Sequence, residues 1–122
     1  MERLFTIAGA ISAFLAVGFG AFGAHGLKSK LTEAHMKAYE TGVLYHLIHA
    51  LALLAVAWAC TQWPGRWTTW AGWLFIAGTL LFSGSLYALA ISGIARLGMI
   101  TPLGGLMMMA GWVCLAIGAY RG

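Results

Sequence analysis

The sequence contains four histidines, and three of them lie inside or at the end of a long apolar stretch. His46 and His49 are three residues apart in one long apolar stretch, which places them on the same side of an α-helix. His25 ends the preceding apolar stretch, and an antiparallel helix pair would bring it to the level of residues 42–46. Because a polar group at membrane depth needs partners, we expect all three to face the interior of a helix bundle.

Three imidazoles at one level are compatible with several kinds of chemistry. His25, His46 and His49 are candidate ligands for a transition metal or haem iron, or members of a proton relay. No Cys, Asp or Glu accompanies them to complete a familiar ligand set. Structural hydrogen bonding is the simpler interpretation, and both interpretations stay open here. The side chains expected to form a structural polar cluster are Tyr45, Ser83, Ser85 and Tyr87.

The sequence has no grouping of residues typical of an enzyme active site. There is no Ser-His-Asp or Cys-His constellation, and no paired carboxylates lie in the apolar stretches. The glycines of residues 18–23 match the dinucleotide-binding pattern, but no strand precedes them and no helix N-terminus follows. The sequence therefore favours a protein that is not an enzyme and that has no cofactor.

The spacing of the charged residues predicts the elements that position the histidines. Four windows of the sequence contain no charged residue, and all ten charged side chains lie outside them. The windows are residues 4–27, 41–65, 67–95 and 97–120. Each window exceeds the roughly 20 residues that a helix needs to span a bilayer. The apolar fraction is 61% and the charged fraction 8%, where an ordinary soluble chain has about 25% charged residues. The sequence predicts an all-α, integral membrane four-helix bundle.

We predict one domain, residues 1–122, with spans at about 4–25, 42–63, 68–92 and 102–120. Thr32 and Glu33 are typical of a helix start and predict an additional amphipathic helical region before the second span. Pro64-Gly65 predicts a tight turn, and Thr101-Pro102 predicts the fourth helix, with Thr101 as its N-cap. Four crossings place both termini on the same side of the membrane.

Two periodic patterns predict which helix faces are buried. Glu33, Lys37 and Glu40 share one side of the second helix, and the opposite side carries a stripe of five residues. That stripe consists of His35, Tyr39, Gly42, His46 and His49. Small residues at four- and seven-residue spacing predict close helix packing, within one chain or between copies. They include Gly84 with Ala88 and the series Gly104, Gly111 and Gly118.

Four sequence blocks, one for each helix, resemble a known family. They are residues 20–26 (GAFGAHG), 45–50 (YHLIHA), 82–87 (FSGSLY) and 101–105 (TPLGG). In these blocks the chain resembles the family of domain of unknown function 423, small bacterial membrane proteins similar to animal transmembrane protein 256. The resemblance implies a four-helix, multi-pass protein of the bacterial inner (plasma) membrane. It implies no activity, and the family's pattern corresponds here to His25, Tyr45 and His49.

The leading hypothesis is therefore a non-enzymatic membrane protein that acts through helix packing, as an oligomer or as an accessory subunit of a larger membrane complex. One alternative is a binding protein that holds a metal, haem or quinone at the His25/His49 site. A weaker alternative is conduction of ions or protons by an oligomer. The lipid bilayer is the expected partner, and the net charge of +4 without any basic run does not indicate nucleic acid.

Overall fold

The computed structural model describes all residues from 1 to 122, and it contains helices and no strands. The four long helices are α1 (Glu2–Phe22), α2 (Glu33–Gln62), α3 (Arg66–Ser92) and α4 (Thr101–Arg121). A π-helical segment, Gly23–Leu27, continues α1, and a 3-10 segment, Ala95–Met99, precedes α4. All four helices are long and apolar enough to cross a membrane, judged by length and composition. The predicted all-α four-helix architecture is confirmed.

The helix ends follow from local side-chain and backbone chemistry. The Thr32 hydroxyl accepts a hydrogen bond from the His35 backbone N–H at 3.2 Å, so α2 begins where the sequence predicts. Gly65, with φ of 147°, makes the turn that reverses the chain into α3. The prediction of Thr101 as an N-cap is wrong. Ile100 occupies that position with helical backbone angles, because the 3-10 segment leads directly into α4.

The helices pack in chain order, with α1 along α2, α2 along α3, and α3 along α4. The helix α2 is the most buried of the four, since half of the residues in its most apolar stretch are inside the protein. A cluster of apolar side chains from three helices forms the core. Its fully buried members include Phe5, Val56, Ala71 and Phe75. The arrangement leaves α1 and α4 as edge helices, each packed mainly against one neighbour.

Glycines of α4 form the seam against α3. A Cβ atom on Gly104 would lie 2.9 Å from the Cα atom of Phe82, and one on Gly111 would lie 2.6 Å from the Phe75 ring. A Cβ atom on Gly118 would lie 3.0 Å from the Thr68 side chain near the start of α3. The predicted close packing of this glycine series is therefore packing within one chain. 

The predicted buried stripe of α2 is also present. Tyr39, Gly42, His46 and His49 are buried, and His35 is half-buried at the end nearest the loop. The Tyr39 hydroxyl donates a hydrogen bond to the backbone carbonyl of Phe19, at 2.6 Å. This stripe therefore turns the polar side chains of α2 toward the neighbouring helices.

Candidate functional site at the intramembrane histidines

Both ring nitrogens of His49 are engaged by the protein itself. Its Nδ1 lies 2.8 Å from the backbone carbonyl of Tyr45, one helical turn earlier. Because a carbonyl only accepts hydrogen bonds, Nδ1 carries the proton and donates it. The indole N–H of Trp112 on α4 then donates to Nε2 at 3.1 Å. These two bonds select one neutral tautomer and occupy the lone pair that a metal would need.

His46 has one partnered ring nitrogen and one that is free. Its Nδ1 lies 2.9 Å from the hydroxyl oxygen of Tyr87 on α3. The Phe19 ring of α1 lies nearby, with ring centroids 6.3 Å apart. No side chain or backbone group forms a hydrogen bond with Nε2. His46 is therefore the histidine of this pair that retains a group able to bind something else.

The two histidines occupy different interfaces although they share the buried side of α2. His46 lies among side chains of α1 and α3, whereas His49 packs edge-on against Phe75 of α3 and Trp112 of α4. The spacing of three residues separates two side chains by about 60° around a helix. This angle is enough to direct each ring into its own helix interface.

The expectation that His25 faces the bundle interior is wrong, because His25 is exposed. It lies in the π-helical segment, whose buried residues are Gly23 and Leu27. Gly23 faces α2, since a Cβ atom there would overlap the Tyr39 ring. His25 is two residues from each of these buried positions, which corresponds to about half a helical turn. Its side chain is therefore directed away from α2.

The three predicted metal ligands are therefore not brought together. No group of three or more His, Cys, Asp and Glu side chains is arranged to hold a metal ion. His25 lies outside, His49 uses both nitrogens within the protein, and only His46 keeps a free nitrogen.

The predicted polar cluster divides into separate contacts. The Ser83 hydroxyl donates to the backbone carbonyl of Gly42 at 2.7 Å, and Tyr87 pairs with His46. Ser85 hydrogen-bonds to the Thr101 hydroxyl and thereby links α3 to the start of α4. Tyr45 lies outside the cluster, because its side chain is 39% exposed and packs beside the Phe82 ring.

Two residues near the histidines were not predicted from the sequence. Trp112 gave no signal of its role, because 63 residues separate it from His49 and the register of α4 is not readable from composition. Thr79 is buried, and its hydroxyl oxygen has no hydrogen-bond partner. An unpartnered hydroxyl in the middle of an apolar helix is visible only after the neighbouring helices are in place.

Comparison with known proteins gives relatives that cover nearly the whole chain. Residues 19–105 match the profile of the family described as protein of unknown function (DUF423). The UPF0382 membrane protein YwdK of Bacillus subtilis is 48% identical over 98% of this chain and 98% of its own length. A UPF0382 membrane protein of Staphylococcus haemolyticus is 44% identical over 98% of this chain and 97% of its own length. No solved structure matches the chain.

Proposed function

The chain belongs to the DUF423 family, its relatives are named membrane proteins, and we propose that it acts through helix packing rather than catalysis. In this proposal it is a multi-pass protein of the bacterial inner membrane. It forms one domain, in which all four helices cross the bilayer. It works as an oligomer or as an accessory subunit of a larger membrane assembly.

The use of the interior polar groups supports a role without catalysis. Ser83 and Tyr39 are bound to backbone carbonyls of other helices, and His49 is held between Tyr45 and Trp112. Such hydrogen bonds join helices in lipid, where no hydrophobic effect drives them together. These three side chains are thus engaged in holding the bundle, and a catalytic group would need to be free to react.

The outer face of α1 provides a surface for assembly. In the most apolar stretch of α1 only 17% of the residues are buried, and the same share applies to α4. The outer face of α1 is not smooth. Gly18 has no atom within 4 Å of the position that its Cβ would occupy, and exposed Phe14 and Phe22 lie one turn to either side. Together they form a notch of about 240 Å³.

This notch at Gly18 is the observation that carries the proposal. Gly9 is nine residues earlier and lies on the opposite side of α1, where it is packed tightly against Ala50 and Leu53 of α2. The side of α1 that faces α2 therefore uses a glycine for close approach, and the opposite side presents a second glycine that nothing in this chain covers. A helix of another membrane protein or of a second copy would fit against it.

The first experiment measures assembly of a Gly18→Leu variant. A Cβ atom at position 18 would meet no atom of the chain within 4 Å, so the Gly18→Leu monomer should fold normally while association weakens. Native mass spectrometry of protein released directly from lipid reports copies and co-purifying proteins together. Wild-type protein should appear as an oligomer or with a partner, and Gly18→Leu should shift the distribution toward the isolated chain.

A matched control is Ala110→Leu, which adds bulk at an exposed small residue of α4. It should leave the distribution unchanged. If the wild-type protein is strictly monomeric and carries no partner, or if both variants behave like wild type, the proposal fails.

The binding alternative has support at His46 alone, because its Nε2 is the free nitrogen of the pair. An optical spectrum and metal analysis of protein purified in mild detergent test for haem or stoichiometric metal. A signal that His46→Ala removes and that His25→Ala leaves intact would favour this alternative. Conduction predicts proton flux into liposomes that depends on the same residue.

A further inference from the structure

A groove separates α1 from α3 along the lipid-facing surface of the protein. Both helices pack on α2, and the side chains of α2 form the floor of the groove. Two aromatic contacts close its ends: Phe5 lies over Gly72 at one end, and the Phe19 and Tyr87 rings meet at the other with centroids 4.8 Å apart. The groove has a volume of about 360 Å³.

Most residues of the lining are apolar, and none carries a charged side chain. Leu15 of α1, Leu53 of α2 and Ile76 of α3 are representative of its walls. A charged molecule would lose its hydration there and find no counter-charge. The occupant that this lining fits is therefore neutral and mostly apolar.

Three polar side chains of the lining, Ser12, Thr79 and His46, have spare hydrogen-bonding capacity, and Thr79 and His46 are the buried residues among them. Thr79 is 8% exposed, and its hydroxyl is the only buried side-chain polar group of the protein without a hydrogen-bond partner. His46 is 7% exposed and has no hydrogen bond to Nε2. If the Tyr87 hydroxyl donates to Nδ1, the His46 proton lies on Nε2. The groove then offers a donor from α2 and a donor from α3 that have no acceptor in the protein, and only the Thr79 hydroxyl of the two is a fully buried atom.

The depth of Thr79 limits which membrane molecule can reach its hydroxyl. Thr79 is midway between Arg66 and Ser92, about 20 Å of helix from either end of α3. In a hydrocarbon core about 30 Å thick this position is near the bilayer centre. A phospholipid keeps its ester carbonyls near the interface, so its acyl chains alone would reach Thr79. A neutral molecule dissolved in the core can bring an acceptor to that depth.

We infer that the groove binds a neutral, membrane-dissolved molecule of the quinone class, with a ring that carries carbonyl acceptors and an apolar tail. The Thr79 hydroxyl and the His46 Nε2–H donate to its carbonyl oxygens, and the rings of Phe19 and Tyr87 lie at the end of the groove that contains His46. The inference concerns binding alone and does not depend on the assembly proposed above, because the Gly18 notch is not required for it.

The experiment uses full-length protein in phospholipid nanodiscs and a short-chain benzoquinone that carries a photoreactive azide. Labelled peptides are mapped by mass spectrometry. We expect saturable labelling of the stretches of α1 and α3 that line the groove, and displacement by excess unlabelled quinone. Thr79→Val should reduce labelling about tenfold, the effect of one lost hydrogen bond. Thr79→Ser keeps the hydroxyl and should retain most of it.

Two further variants separate loss of the site from loss of the fold. Gly84 lies in the wall of the groove, and a Cβ atom there would meet no atom within 4 Å. The Gly84→Leu variant should therefore fold, and its added side chain should block labelling. Thr6→Val removes a hydroxyl that bonds only within the first turn of α1, and it should label like wild type. Near-ultraviolet circular dichroism confirms that each variant is folded.

Three results would overturn the inference. One is labelling that excess quinone does not displace, and another is equal labelling of wild type, Thr79→Val and Gly84→Leu. The third is labelling of the groove by a phospholipid with a photoreactive acyl chain when excess quinone does not reduce that labelling. This result would assign the groove to lipid chains. Native mass spectra of Thr79→Val should match wild type whatever the labelling shows, so failure of this inference is distinguishable from failure of the proposed assembly.

Discussion

At the scale of single residues, the hydrogen bonds of His49 define its role. A buried imidazole needs a donor and an acceptor as partners, and the protein supplies the Tyr45 carbonyl and the Trp112 indole N–H. Without these bonds the His49 ring nitrogens and the Trp112 indole N–H would be unsatisfied polar atoms in lipid. His49 therefore ties α2 to α4, two helices that otherwise make few contacts.

Removing the indole donor should destabilise the fold. Trp112→Phe keeps an aromatic ring against Phe75 but leaves His49 Nε2 without a donor, which should lower the free energy of unfolding by about 1 kcal/mol. Trp70→Phe, at a side chain that is 56% exposed and forms no hydrogen bond, is the control. Unfolding measured in bicelles compares them. Equal stability of the two variants would show that the Trp112–His49 bond contributes nothing.

At the scale of helices, adjacent glycines of α4 differ sharply in what they contact. A Cβ atom on Gly104 would lie 2.9 Å from both the Gly78 carbonyl oxygen and the Phe82 Cα atom, and backbone cannot move aside without separating α3 from α4. A Cβ atom on Gly105 would meet only the edge of the Phe82 ring at 3.6 Å, an ordinary contact. The seam between α3 and α4 thus depends on one glycine of the pair.

These two glycines allow a test within one helical turn. Gly104→Ala should destabilise the protein by about 1–3 kcal/mol, the usual effect of overpacking. Gly105→Ala should be neutral or slightly stabilising, because alanine favours helix over glycine by about 1 kcal/mol. Thermal unfolding in detergent reports both. A Gly105→Ala variant as unstable as Gly104→Ala would contradict the described seam.

Helix existence and helix faces were largely predictable, and the pairing of helices was not. The spacing of charges separates four apolar windows because a charge at mid-bilayer is costly, and the burial of Tyr39, Gly42, His46 and His49 follows from helical periodicity. The position of His25 was mispredicted because the π-helical segment and the contact of Gly23 with Tyr39 depend on tertiary packing. The Trp112 partner of His49 and the unpartnered environment of Thr79 depend on helix register, which no local pattern specifies.

At the scale of the whole molecule, the account depends on four helices that cross a membrane and hold His46 and His49 of the α2 stripe inside it. The row-like packing leaves the Gly18 notch of α1 on the outside, and it leaves a groove between α1 and α3. Both proposals need this arrangement. If α1 did not cross the bilayer, neither the notch nor the groove would face lipid.

The most direct test is cysteine labelling of intact cells with a membrane-impermeant thiol reagent. Cys60 and Cys114 are first replaced by alanine, and single cysteines are placed at Glu2, Ser29, Arg96 and Arg121 and, inside the bundle, at His46. We predict that Glu2 and Arg121 label from one side of the membrane, Ser29 and Arg96 from the other, and His46 from neither. Labelling of Glu2 and Ser29 from the same side, or ready labelling at His46, would contradict the four-span account.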